Sequence, residues 1–277
     1  MFLQRVEAAS GPVYYVSPLL REAGVPHAFS TRLGGVSSAP FDALNLGNPG
    51  GGLKDDRANI LQNYARLFDA AKLNGREHCW LHQIHGAVVA RVIEGTTHDN
   101  NDKGDALATR DANRVLSVRV ADCCPILLAS DDGACVAAVH SGWRGTVAQV
   151  VLAALEVVLK LKGDSPTGAK GAKGAKNILA AIGPCIGMEC FETGPEVLAE
   201  FDNVFGAEIR SLKSAGGKGR ANIREAVRVS LLRAGVPERN IDTTELCTHR
   251  DSGEFFSHRR EHGVTGRMAA LIAVKHY

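Results

Sequence analysis

A chain of 277 residues that is 45% apolar and 22% charged has the make-up of an ordinary folded domain, which excludes disordered and fibrous classes. Its 32 basic and 30 acidic side chains leave a net charge of +2, too little to favour nucleic acid or an acidic membrane as partner. Seven cysteines, odd in number and mostly inside apolar runs, fit a reducing compartment where thiols act as core fillers, metal ligands or nucleophiles rather than a disulfide framework.

The first residues place Arg5 and Glu7 where a signal peptide needs its apolar core. No later run approaches the ~18 apolar residues of a membrane span. The expected location is the cytoplasm, with no nucleic-acid or membrane partner.

In chain order, residues 12–29 read as a strand, a short polar break and a second strand ending at Ala28-Phe29. The loop Ser30-Thr31-Arg32-Leu33-Gly34-Gly35-Val36-Ser37 can present N–H groups and a guanidinium to an anion, although a plain turn uses the same residues. Asp55-Asp56 open a helix expected to reach about Ala71, because Ile60, Tyr64, Leu67 and Phe68 recur at helical spacing behind first-turn acids. Residues 79–93 alternate as strands do around Gln83-Ile84-His85-Gly86, and 102–109 reads as a polar loop carrying Gly104-Asp105-Ala106-Leu107.

Two central strands follow, over about 114–130 and 134–140. The first is β-branched and apolar but broken by Asp122-Cys123-Cys124, an acid and two thiols that a buried strand does not carry without reason. The second ends in His140-Ser141-Gly142-Trp143-Arg144-Gly145. A helix from Gly145 to Leu161 comes next, with Val147, Val150, Val151, Ala154, Leu155 and Val158 in one stripe. Its start, beside His140, offers unpaired N–H groups to an anionic substrate. Residues 163–176, where Gly-Ala-Lys repeats, read as a flexible basic surface insertion. A strand over 177–182, helices near 194–203 and 222–234, a strand over 241–247 and a closing helix from Gly266 to His276 complete the reading. The sum is a single α+β domain over 1–277, with mixed β-sheets and flanking helices.

The chemistry gathers at strand ends. His85, Cys123 and His140 offer two imidazoles and a thiolate, a donor set that zinc favours, and three protein ligands leave a fourth position open as in catalytic sites. The same residues support a metal-free thiol hydrolase with Cys123 as nucleophile and His140 as its base, and spacing leaves both readings open. Asp122 is a candidate proton shuttle or an orienter of a ligand histidine. Arg32 and Arg144 are candidate phosphate clamps, or plain ion-pair partners. Cys124 and Cys135 read as small core residues, and Cys185 as part of a rigid turn.

Several motifs in order then resemble one family: Phe29-Ser30-Thr31-Arg32, Gln83-Ile84-His85-Gly86, Ala121-Asp122-Cys123-Cys124-Pro125-Ile126, His140-Ser141-Gly142-Trp143-Arg144-Gly145, Ile182-Gly183-Pro184-Cys185-Ile186-Gly187 and Phe255-Phe256-Ser257-His258-Arg259-Arg260. This is the laccase-domain family, once called multicopper polyphenol oxidoreductases and now regarded as purine nucleoside phosphorylases. The resemblance implies metal ligation by His85, Cys123 and His140, with Zn2+ as the ion and Cu2+ also claimed. It implies phosphorolysis of adenosine, inosine, guanosine and methylthioadenosine, with phosphate as co-substrate, and deamination of adenosine. The Gly-Ala-Lys insertion departs from the family pattern. The older polyphenol oxidase label is disfavoured by the residues themselves, since multicopper oxidation needs clustered His-x-His pairs and the 10 histidines contain none. Cu2+ can displace zinc from such ligands, so copper alone would not mark an oxidase.

Overall fold

A computed structural model of the chain describes residues 1–163, 175–209, 212–213 and 217–276. The N-terminal part runs β1 (Gln4–Glu7), β2 (Val13–Val16), α1 (Pro18–Glu22), β3 (His27–Ser30), α2 (Arg57–Ala70), β4 (Glu77–Cys79), β5 (Val89–Val92) and β6 (Ala106–Thr109). The centre holds β7 (Arg114–Val120), β8 (Cys124–Ser130), β9 (Val136–Ser141), α3 (Trp143–Val147) and α4 (Val150–Lys162). After it come β10 (Ile178–Ile182), β11 (Glu192–Thr193), α5 (Pro195–Phe205), β12 (Leu212–Lys213), β13 (Gly219–Arg220), α6 (Ile223–Arg233), β14 (Ile241–Asp242) and β15 (Met268–Ala273).

Two six-stranded sheets carry the fold, in the orders β1-β2-β3-β15-β7-β4 and β14-β10-β8-β9-β6-β5. A small third sheet has the order β11-β13-β12. The side-chain period of two sorts each strand between cores. Along β15, Met268, Ala270 and Ile272 face the core between the large sheets, where they meet Phe29, Val118, Leu127 and Ala138. Ala269, Leu271 and Ala273 face the opposite way and pack with Leu67 of α2. On the far side of the second sheet, Ile126, Leu128 and Val139 pack with Val150 and Ala154 of α4, Phe201 of α5 and Val227 of α6. The layers are therefore helix, sheet, sheet, helices: an α+β arrangement with mixed sheets, as expected.

Five expectations change. Residues 266–276 form no helix: β15 lies between β3 and β7, and its six residues are all buried, so neither strand alternation nor a helical stripe is visible in the sequence. The run 114–130 is two strands in different sheets, joined by Ala121-Asp122-Cys123. Half of the supposed polar loop 102–109 is the fully buried β6. The helix after His140 is two helices, separated where Gln149 takes a left-handed φ of 58°. The strand expected over 241–247 shrinks to Ile241–Asp242. Asp56 caps α2 by accepting from the Ala58 N–H, close to the expected start. Residues 164–174, most of the Gly-Ala-Lys segment, lie outside the described residues. Among the described residues, no helix is long and apolar enough to cross a membrane.

Candidate metal centre

The centre forms where the chain passes from one sheet to the other. β7 ends at Val120 in the first sheet and β8 begins at Cys124 in the second, so three residues make the transfer. Asp122 takes φ 88°, a conformation costly for a side-chain-bearing residue and found where surrounding bonds hold it. Its carboxylate accepts from the Thr248 hydroxyl at 2.7 Å and from the Arg259 N–H at 2.7 Å, while its carbonyl accepts from the Ile186 N–H at 2.9 Å. This turn sets Cys123 at the head of β8. The β8–β9 register then pairs Cys124 with Ser141 and Pro125 with His140, which brings His140 alongside.

His85 arrives from a third direction, on the loop before β5, with a left-handed φ of 59°. Asp105, wholly buried, fixes that loop. Its carboxylate accepts from the N–H groups of His85 at 2.9 Å, Gly86 at 2.7 Å and Ile84 at 3.3 Å. The same carboxylate meets His140 Nδ1 at 2.8 Å, and the Asp105 carbonyl accepts from the His140 N–H at 2.7 Å. One aspartate thus orders both histidines and leaves His140 Nε2 for another partner.

The ligand atoms of His85, Cys123 and His140 all lie within 4.8 Å of one another. The two imidazole rings stand nearly perpendicular, 80° apart, with centroids 4.9 Å apart. Gly142 makes room for them, because a Cβ there would lie 2.9 Å from His85 Cδ2 and 3.0 Å from Cys123 Sγ. His140 is buried, Cys123 half-buried and His85 exposed, so the group opens on one side.

Electrostatics prepare these donors. Burial works against the Cys123 thiolate, yet the His140 and His85 imidazoles outweigh it and bring the thiol down to about 6. Burial likewise opposes the His140 imidazolium, but Cys123 and Asp105 raise it to about 9. Asp105 is buried too, and its bonds from His140 and Gly86 still hold it below the usual carboxylate range. A sulfur that ionises readily and an imidazole with its tautomer fixed from behind fit a borderline-soft ion such as zinc, with one position left open.

The trio lines a cavity of about 560 Å³ shared with Lys54, Arg119, Arg267, His82 and His258. Gln83 ties this wall to β7: its side chain donates to the Arg119 carbonyl and accepts from the Arg119 N–H, each at 2.8 Å. Burial lowers the Arg267 pKa, as expected of a cation held in a cavity wall. Arg32 and Arg144 are not among the lining residues. Arg32 donates to the Asp42 and Ser252 carbonyls, pairs with Asp42 and lies over the Phe256 ring. Arg144 is exposed and stacks on Trp143. The carboxylate that touches a ligand histidine is Asp105, not Asp122. Sequence reasoning passed over Asp105, which sat in an apparent polar loop, and Arg267, which sat in an apparent helix. Arg119 was within view, one of the few charges in the central apolar run.

The family model described as multi-copper polyphenol oxidoreductase laccase matches residues 26–275 of the chain. The chain is similar to the purine nucleoside phosphorylase YfiH of Shigella flexneri, 37% identical over 249 residues that make up 90% of this chain and 93% of that protein. It is also similar to a purine nucleoside phosphorylase of Deinococcus radiodurans, 34% identical over 259 residues, 93% of each chain. The crystal structure of YlmD from Geobacillus stearothermophilus matches with a TM-score of 0.83 at 29% identity, over 98% of this chain and 99% of that one.

Proposed function

Because the chain belongs to the multi-copper polyphenol oxidoreductase laccase family, whose similar members here are named purine nucleoside phosphorylases, we propose that it is a metal-dependent purine nucleoside phosphorylase. The observation that carries this reading is the meeting, in one cavity, of a zinc-type donor set with three cationic side chains, Lys54, Arg119 and Arg267. Phosphate oxygen attacks C1′ of the sugar, the C1′–N9 bond breaks, and the products are a free purine and a pentose 1-phosphate, namely ribose 1-phosphate or, from methylthioadenosine, 5-methylthioribose 1-phosphate. The purine nucleosides in question are adenosine, inosine, guanosine and methylthioadenosine, and deamination of adenosine by water is assigned to the same cavity.

Each residue has a distinct part. Arg119 and Arg267 hold and orient phosphate through their guanidinium groups, and Lys54 adds a third charge at the mouth. His82 and His258 line the same space and are the groups placed to give a proton to a ring nitrogen of the departing purine. His85, Cys123 and His140 would hold Zn2+, with Cu2+ able to compete, and the ion would supply a Lewis acid with one open position. Asp105 keeps both histidines in place. Asp122 serves as a positioning residue, since both of its carboxylate oxygens are engaged by Thr248 and Arg259. Arg32 and Arg144 support the surrounding loops and do not clamp phosphate. The whole of 1–277 acts as one unit in a reducing cytoplasm, consistent with seven unpaired cysteines.

Inosine incubated with and without phosphate tests the reading. Ribose 1-phosphate should form only when phosphate is present, and free ribose formed without phosphate would refute phosphorolysis.

A second reading rests on one further observation: Cys123, His140 and Asp105 also stand in the order of a nucleophile, its base and the base's orienter, with the thiol at about 6. A thiol hydrolase would stay active after chelation and die on alkylation. A metal enzyme would lose activity on chelation and regain it with Zn2+.

A further inference from the structure

Two loops outside the cavity bring together another group of donors. Glu189 and Cys190 lie on the short 3-10 turn Met188–Cys190, and Cys247 lies where Cys185 and Cys247 bridge as parallel neighbours. The carboxylate and the two sulfurs lie within 4.8 Å of one another, and none of these residues belongs to the first centre. We propose that Glu189, Cys190 and Cys247 form a second site for a thiophilic divalent cation such as Zn2+, with water completing its coordination.

Three features carry this assignment. The distances are compatible with one ion, since bonds of about 2.3 Å to sulfur place tetrahedral ligand atoms about 3.7 Å apart. The Cys247 sulfur accepts backbone N–H groups from Gly187 at 3.1 Å and Arg250 at 3.4 Å, bonds that hold it in place as a ligand atom. Charge is largely offset: two thiolates, one carboxylate and a dication sum to a single negative charge, and the Arg250 guanidinium, which also pairs with Asp251, lies 3.1 Å from Glu189 Oε1.

The site has a structural task. Its two loops are the ones that hold the turn before Cys123, through the Ile186 N–H to the Asp122 carbonyl and the Thr248 hydroxyl to the Asp122 carboxylate. An ion joining Cys190 to Cys247 clamps those loops together and so steadies the turn that presents Cys123. Binding releases the two thiol protons to solvent and changes no oxidation state.

The test uses the full chain, stripped with a chelator, kept reduced with a phosphine, and titrated with Zn2+ while bound metal is counted by mass spectrometry. Wild type should bind about two equivalents per chain and Cys190→Ser about one. Cys123→Ser, which removes a ligand of the first centre, should keep about one. Cys247 is buried and its serine variant could misfold, so Cys190→Ser and Glu189→Gln, both at less buried positions, carry the test, with circular dichroism as the fold control. Glu189→Gln should weaken the second equivalent at least tenfold. The proposal is overturned if wild type binds only about one equivalent, or if folded Cys190→Ser binds as much as wild type. Finding Cys190 and Cys247 as a disulfide in the reduced preparation would overturn it as well.

Discussion

Asp105 touches the settings of two of the three residues of the candidate centre, His85 and His140. It takes three loop N–H groups and His140 Nδ1 into one buried carboxylate, so the strained His85 loop and the His140 ring share a single support. Asp105→Asn keeps the shape but puts an amide nitrogen where an acceptor is needed. Zinc affinity should fall about 10- to 100-fold, read by competition with a chromophoric chelator. Unchanged affinity would mean the histidines hold themselves. Cys123 gives a pH signature. Only its thiolate reacts with iodoacetamide, so in chelated protein its alkylation should climb as pH rises through about 6, not through the 9.0 of an ordinary thiol. Mass spectrometry of the Cys123 peptide reads the profile, and a midpoint near the ordinary value would remove the imidazole influence. Cys123 and His140 were legible in the sequence because they interrupt apolar runs. Asp105 was not, since an aspartate after a glycine looks like any turn, and only burial distinguishes it.

Among the elements, the transfer from β7 to β8 matters most, because a strand that changes sheets delivers its next residue to the gap between them. Its neighbour Gly142 must then stay small. Gly142→Ala would place its Cβ against His85 and Cys123, so zinc binding should weaken at least tenfold while the melting temperature stays near wild type. A large loss of stability with intact binding would contradict the geometry. β15 offers a second test. Leu271 is fully buried in the middle of the first sheet, and Leu271→Ala should cost about 2–5 kcal/mol in urea unfolding. A helix over 266–276 would instead tolerate alanine well at an exposed position. Its strand character is hidden because Met268 to Ala273 is half alanine and buried on both faces, which masks the period of two. The start of α2 was read closely, since Asp56 is a cap whose effect is local. The break at Gln149 was not, because the apolar stripe continues across it while the backbone does not.

At the scale of the whole molecule, two facing sheets with helices outside leave the site at the edge where β7, β8, β9 and the loop before β5 converge. The α+β class could be read from the sequence. Membership of strands in one sheet or the other could not, because it depends on pairings between residues far apart, such as Met268 with Val120. The same distance hid how the cavity's cations gather, since Lys54, Arg119 and Arg267 come from three separate segments. Arg267→Gln should raise the KM for phosphate about 10- to 100-fold, the loss expected for charge-assisted hydrogen bonds, with the nucleoside KM little changed. Steady-state kinetics at varied phosphate reads this, and an unchanged phosphate KM would move the phosphate site elsewhere.

The most direct test of the centre compares ribose 1-phosphate release from inosine by wild type and by Cys123→Ser, at saturating phosphate and zinc, with both proteins shown to be folded. Wild type should release it and the variant should lose the activity by several orders of magnitude, because the ion loses its one sulfur ligand. A variant that turns over inosine as fast as wild type would contradict a metal centre built on His85, Cys123 and His140.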